Sequence, residues 1–154
     1  MAVAPTKNMD RFEWFLEKAT ELGVHRITPI LCKRSERKQL KIERCNKIIA
    51  SAVKQSLRVY APILDSLTSL KDLQTDAAFS YIAHCETTAK KALKEVVLNQ
   101  NNCCILIGPE GDFIPDEITW AAKHGITPIH LGDARLRTET AALTALHTAV
   151  LLNT

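Results

Sequence analysis

The chain has 154 residues, 46% hydrophobic and 24% charged, which suits one ordinary globular domain and excludes a disordered chain. No apolar run approaches the ~18 residues of a membrane span, and the opening Met1-Ala2-Val3-Ala4-Pro5-Thr6-Lys7 lacks the charged-then-apolar pattern of an export signal. The net charge of +3 is segregated: residues 33–47 carry Lys33, Arg34, Arg37, Lys38, Lys41, Arg44 and Lys47 against Glu36 and Glu43, a local +5 that leaves the remainder at −2.

In chain order, Met9, Phe12, Phe15, Leu16, Ala19 and Leu22 recur at helical spacing, and Gly23 is a natural helix stop. Arg26 to Cys32 reads as a buried strand, with Pro29 pointing to an edge or a strand start. Leu40 to Leu57 forms a second amphipathic helix that carries much of the basic stretch. That stretch is either the electrostatic footprint of a phosphate-bearing partner or a solvated helix face. Asp76 to His84 reads as a strand and Thr87 to Asn99 as a helix. Cys103-Cys104-Ile105-Leu106-Ile107 is a continuous apolar run of the kind that forms central parallel strands covered on both faces. Pro115-Asp116-Glu117 opens a helix that Gly125 ends. Thr127 to Leu131 is the last strand, and Leu136 or Thr138 to Leu152 the final helix. Alternating strands and helices predict an α/β fold with a mostly parallel sheet, whose ligands bind beyond the carboxyl ends of the strands.

The five cysteines are odd in number and include no Cys-x-x-Cys pair. They read as reduced thiols of a cytoplasmic protein, with no metal site. The histidines are scattered without metal-like partners; His84 stands apart because it ends a predicted strand on the ligand side.

Two loops leave strands with unusual chemistry. Gly108-Pro109-Glu110-Gly111-Asp112-Phe113 is a shaped turn with exposed backbone groups, able to approach a flat ligand or simply to reverse the chain. It has neither the Gly-x-Gly-x-x-Gly of dinucleotide sites nor the Gly-Lys-Ser/Thr of triphosphate sites. In the second loop, Leu131 to Ala142, Thr138 fits a helix N-cap and Glu139 complements the helix dipole. Arg135 and Arg137 are unfavourable there unless an anion is close; Glu110, Glu139 or an RNA phosphate would serve.

These residues carry a resemblance. Glu17-Lys18-Ala19-Thr20-Glu21-Leu22-Gly23 with Ile27-Thr28-Pro29, Arg34-Ser35-Glu36-Arg37, Gln55-Ser56 with Arg58, Leu106 through Gly111, and Leu131-Gly132 with Leu136 through Ala141 occur in order. Together they make the chain resemble the catalytic domain of the RsmE family, SPOUT-class enzymes that methylate N3 of a uridine in small-subunit (16S) ribosomal RNA. The resemblance implies a SPOUT-type fold with a C-terminal trefoil knot over residues 1–154, a homodimer, and S-adenosylmethionine as cofactor. It places the cofactor on Leu106, Ile107, Gly108, Pro109, Glu110, Gly111, Leu131, Gly132, Leu136, Thr138, Thr140 and Ala141. Arg137, Glu139 and Arg58 are the candidates for catalytic or positioning roles. Arg34, Arg37, Lys38 and Arg58 are those for binding RNA. Glu110 and Arg137 are alternatively a structural ion pair. The family's PUA-like N-terminal domain is expected to be absent from this chain. Asp112 departs from the pattern, standing where many relatives have glycine, although aspartate tolerates the left-handed region. Two other readings stay open: a 2′-O-ribose RNA methyltransferase of the same class, and a non-catalytic RNA-binding domain.

Overall fold

A computed structural model describes residues 1–97 and 102–153. An eight-stranded sheet runs β1 (Ala2–Val3), β2 (Arg26–Leu31), β3 (Ile63–Leu64), β4 (Thr68–Ser69), β5 (Phe79–Ala83), β6 (Lys91–Ala92), β7 (Cys103–Ile107) and β8 (Thr127–His130) along the chain. In space the order is β3-β2-β1-β7-β5-β8-β6, with β4 also pairing β2, and every pairing is parallel. Among the described residues, five α-helices accompany it: α1 (Met9–Glu21), α2 (Ile42–Gln55), α3 (Leu93–Val96), α4 (Pro115–Lys123) and α5 (Thr138–Leu152).

Strand alternation sends side chains into two separate cores. Ile105 and Ile107 of β7 and Tyr81 of β5 pack with Phe12, Phe15, Leu16, Ala142 and Ala145 from α1 and α5. Cys104, Leu106 and Ile82 face the opposite layer, with Phe113 and with Ala121 of α4. Burial on both faces explains why β7 is apolar at every position.

Helix α1 follows its apolar spacing: Phe12, Phe15, Leu16, Ala19 and Thr20 are its buried positions. Asn8 caps its start, accepting from the Asp10 N–H at 2.9 Å. Gly23, at φ 86°, ends it, and the Val24 N–H returns to the Ala19 carbonyl at 3.0 Å. At α4, Pro115 takes the first turn, and the buried Glu117 accepts from the Ile114 N–H (2.9 Å) and the Lys33 N–H (2.8 Å).

Four expectations are corrected. Pro29 is neither at an edge nor at a strand start. It lies inside β2, which β1 flanks on one side, while on the other β3 pairs residues 26–27 and β4 pairs residues 30–31. The missing N–H falls in the gap between those two short strands. Helix α2 begins at Ile42, so Lys33 through Lys41 occupy a loop and only Arg44 and Lys47 are helical. The helix expected over Thr87–Asn99 is replaced by a turn, β6 and the single turn of α3; positions 98 and 99 lie outside the described residues. Lys90 fixes the turn, donating to the His84 (2.7 Å) and Glu86 (2.8 Å) carbonyls. Finally, Thr138 does not cap α5: Arg137 holds the cap position with no side-chain bond, and the Thr138 hydroxyl points elsewhere.

Candidate active site

Strands β5, β7 and β8 are adjacent and parallel, so their carboxyl ends open on one side of the sheet. A cavity of about 740 Å³ lies there, a volume typical of sites for small molecules and cofactors. Three loops wall it: Gly108 to Asp112 after β7, Leu131 to Arg137 after β8, and His84 to Thr87 after β5. The first two are the loops singled out in the sequence; the third was marked there only by His84.

Hydrogen bonds hold the loops together. The buried Thr138 hydroxyl donates to the Gly108 carbonyl at 3.0 Å, joining the start of α5 to the β7 loop. Asp112 sits at φ 62° and its carboxylate accepts from the Cys85 (2.7 Å) and Phe113 (2.8 Å) N–H groups. The residue that departs from glycine thus keeps the left-handed backbone and adds a brace between the β5 and β7 loops. Arg34 donates to the Gly111 carbonyl at 2.7 Å from outside.

The glycines divide by role. A Cβ on Gly108 would meet the Phe113 ring at 3.1 Å, so that glycine serves internal packing. Gly132 has φ 116° and open space beside it, so there the backbone faces the cavity bare. Ile107, Ile129, Leu131, Leu136 and Ala141 supply an apolar wall, while Arg34, Lys90, Arg135 and Arg137 supply cations.

Of the residues expected at the cofactor, Ile107, Gly108, Pro109, Glu110, Gly111, Leu131, Gly132, Leu136, Thr138 and Ala141 all line this cavity. Leu106 lies in the sheet core at 0% exposure, and Thr140 is exposed outside the lining. Arg137 lines the cavity and is exposed. Glu139 points away: it is buried, its nearest cation is Arg11 at 3.8 Å, and its second carboxylate oxygen has no hydrogen-bond partner. The suggested Glu110–Arg137 pair is not formed. Glu110 instead accepts from the Lys7 N–H at 2.8 Å, and among the described residues Arg137 has no ion-pair partner. Arg58 is not at the cavity. Its guanidinium donates to the Glu21 carbonyl and packs on Gly23, closing the carboxyl end of α1. Arg37 donates to the Lys7 carbonyl at 2.7 Å and Lys38 is exposed.

Electrostatics set the thiols and the imidazole of the site. Burial, then the charge of Asp112, holds the Cys85 thiol above its ordinary range. Burial, then Lys90, pushes the His84 imidazole below its ordinary value. Among the described residues, no cluster of three or more His, Cys, Asp or Glu side chains is placed to hold a metal.

Residues 1–150 match the RNA methyltransferase domain family. The chain belongs to that family. The ribosomal RNA small subunit methyltransferase E of Rickettsia conorii is 31% identical over 150 residues, covering 95% of this chain and 61% of the relative. The chain therefore spans about three-fifths of the length of such curated relatives. The crystal structure of a probable rRNA methyltransferase from Porphyromonas gingivalis superposes with a TM-score of 0.89 at 38% identity, covering 97% of this chain and 66% of that one. A putative methyltransferase from Legionella pneumophila, in complex with the bound cofactor SAM, superposes with a TM-score of 0.85 at 31% identity, covering 96% and 64%. For fold alone, the TrmH/SpoU tRNA modifying enzyme of A. aeolicus matches with a TM-score of 0.61 at 13% identity, covering 98% and 73%. The SPOUT-type α/β architecture anticipated from the resemblance is the architecture found; the knot is a separate matter.

Proposed function

We propose that this domain of the RNA methyltransferase family transfers a methyl group from S-adenosylmethionine to N3 of a uridine in small-subunit (16S) ribosomal RNA, in the cytoplasm. One observation carries the reading: two loops, braced by a bond between Thr138 and Gly108, 30 positions apart in sequence, converge on a cavity of about 740 Å³ at the strand ends. The relatives named for ribosomal RNA methylation, and the neighbour that holds SAM, support the same chemistry.

The residues fit that cofactor. The apolar wall of Ile107, Ile129, Leu131, Leu136 and Ala141 suits an adenine ring, and the bare backbone at Gly132 allows close approach. Bound there, the cofactor supplies an electrophilic methyl group on a sulfonium. Direct displacement of that methyl makes in-line positioning the main task of the protein. Arg137 reaches the cavity unpaired and is placed to hold the nucleotide or its developing charge. Arg34 and Arg135 extend the positive rim of the cavity, and the exposed Lys38 would add to the charge that attracts RNA backbone. Glu139 and Arg58 act through structure: the first on the packing of α5 against α1, the second on the end of α1.

The domain is proposed to act as a homodimer. Helix α5, Thr-Glu-Thr-Ala-Ala-Leu-Thr-Ala-Leu-His-Thr-Ala-Val-Leu-Leu, is apolar on nearly every side, yet Leu143, Ala149 and Val150 are only partly buried in the single chain. Light scattering should give twice the 17.1 kDa chain mass. The trefoil knot of the C-terminal third is likewise proposed, on the family match.

Calorimetry with S-adenosylmethionine tests the core of the reading, and mapping the methylated atom on small-subunit RNA tests its detail. A folded dimer that binds no cofactor would sink the enzyme in favour of a non-catalytic RNA-binding domain. A methyl found on a ribose 2′-oxygen would replace N3 chemistry by ribose chemistry.

A further inference from the structure

His84 is the one histidine of the cavity wall that is buried, at 6% exposure, and both of its ring nitrogens are closed off without a hydrogen-bond partner. Buried polar atoms are almost always paired, and exceptions concentrate where a ligand or reaction supplies the partner. Its position is central. The preceding residue, Ala83, is paired with Ile107 on one side and Ile129 on the other. His84 therefore emerges between the roots of the two loops proposed to hold the cofactor. A ligand that bridged those loops would pass beside it.

We propose that His84 is the group that takes the N3 proton of the target uracil. The inference rests on the uridine-N3 reading above. The N3–H bond breaks and its proton passes to the acceptor nitrogen of the neutral ring. The N3 electron pair is then free to form the N–CH3 bond as the methyl–sulfur bond breaks, its electrons staying on sulfur. Both ring nitrogens are buried in the structure, so the transfer requires a side-chain rotation that turns one of them to the cavity His84 already lines.

The surroundings keep the ring neutral and able to accept. Burial and the Lys90 ammonium disfavour its protonation, while Asp112 and Glu86 oppose them more weakly. Cys85 stands next in the chain, and Arg34, Glu110, His130, Asp133, Arg135 and Arg137 are the other titratable or charged groups of the cavity wall. Folded-state protonation therefore falls below the ordinary histidine value of 6.5, and the ring is a free base at neutral pH. A general base of this kind is worth on the order of a hundredfold in rate.

Imidazole 15N spectroscopy on the full chain tests this directly, with His84→Asn assigning the signal. S-adenosylhomocysteine and uridine 5′-monophosphate serve as probes. Their joint addition should shift the His84 ring nitrogens, and methylation of unmodified small subunits should rise with pH to a plateau above the His84 pKa. His84→Asn should still move the Gly108 and Leu131 amides when S-adenosylhomocysteine is added. It should lose about a hundredfold in rate and rise with pH without a plateau. Ring signals that stay fixed while the Gly108 and Leu131 amides move would overturn the assignment of His84, as would an unchanged pH profile in the variant. Amides at Gly108 and Leu131 that ignore S-adenosylhomocysteine would instead overturn the cofactor site itself.

Discussion

Replacing Thr138 by valine keeps the side-chain volume and removes one hydroxyl. That hydroxyl is buried, at 5% exposure, and donates to a Gly108 carbonyl that is itself buried. Valine therefore deletes a hydrogen bond and strands a buried acceptor, a loss of about 2 kcal/mol. For a domain of this size each kcal/mol moves the melting midpoint by roughly 2–4 °C, so Thr138→Val should melt about 4–8 °C lower. The same bond fixes the spacing of the two loops around the cavity. If about two-thirds of that energy organises the site, affinity for S-adenosylmethionine should fall by roughly tenfold, the equivalent of about 1.4 kcal/mol. Thr138→Ser, which restores the donor, should recover most of the affinity. Calorimetric melting and titration on the three proteins measure both effects. A valine variant with wild-type melting and wild-type affinity would refute the claim that this bond shapes the cavity. Lower melting with unchanged affinity would confine the bond to stability.

Three further outcomes are expected. Asp112→Ala should destabilise by about 2–3 kcal/mol, because it forces alanine into the left-handed region and removes the acceptor for Cys85; Asp112→Gly should cost less in denaturant titration, and a Gly variant as damaged as Ala would show that the backbone angle is unimportant. Arg58→Ala should lower stability by about 1.5 kcal/mol through the lost bonds to the Glu21 carbonyl, with unchanged cofactor affinity; normal stability with lost methylation would return Arg58 to the site. Arg137→Ala should leave the melting curve intact and reduce methylation about a hundredfold, and wild-type turnover in a methyl-incorporation assay would remove it from the mechanism.

The longer elements were legible because burial imposes a period. Phe12, Phe15, Leu16 and Ala19 mark α1, and the unbroken run of residues 103–107 marks a strand covered on both faces. Short parallel strands carry no such mark. Ala2–Val3 sits between β2 and β7 at 0% exposure, but two residues cannot show an alternation. The apolar positions of 87–99 suggested a helix, whereas the Lys90 side chain closes a turn there and β6 pairs with β8. At the site, the two loops were visible through their glycines and the odd placement of arginines beside a helix start. The brace from Asp112 to Cys85 spans 27 positions, and no local pattern announces a contact of that kind.

Arginines show most clearly where reading a sequence stops. Charge density pointed to residues 33–47 as the surface for a phosphate chain. Folding commits much of that charge internally: Arg34 to the Gly111 carbonyl, Arg37 to the Lys7 carbonyl, Arg44 to the Glu13 carboxylate. A guanidinium already bonded to neutral backbone keeps its charge and still attracts phosphate, but it has fewer donors left for a bidentate contact. Among the described residues, Arg135 and Arg137 make no side-chain hydrogen bond or ion pair, and both line the cavity. On the proposed function, the groups best able to grip one nucleotide would be the two that looked misplaced at a helix start, and residues 33–47 would have the less specific task of holding RNA backbone nearby. Salt should separate the two tasks. Neutralising Lys38 should lower the salt dependence of RNA binding by about one counterion. Arg137→Ala should instead reduce turnover more than RNA affinity, and equal effects on both would show that the two regions do the same work.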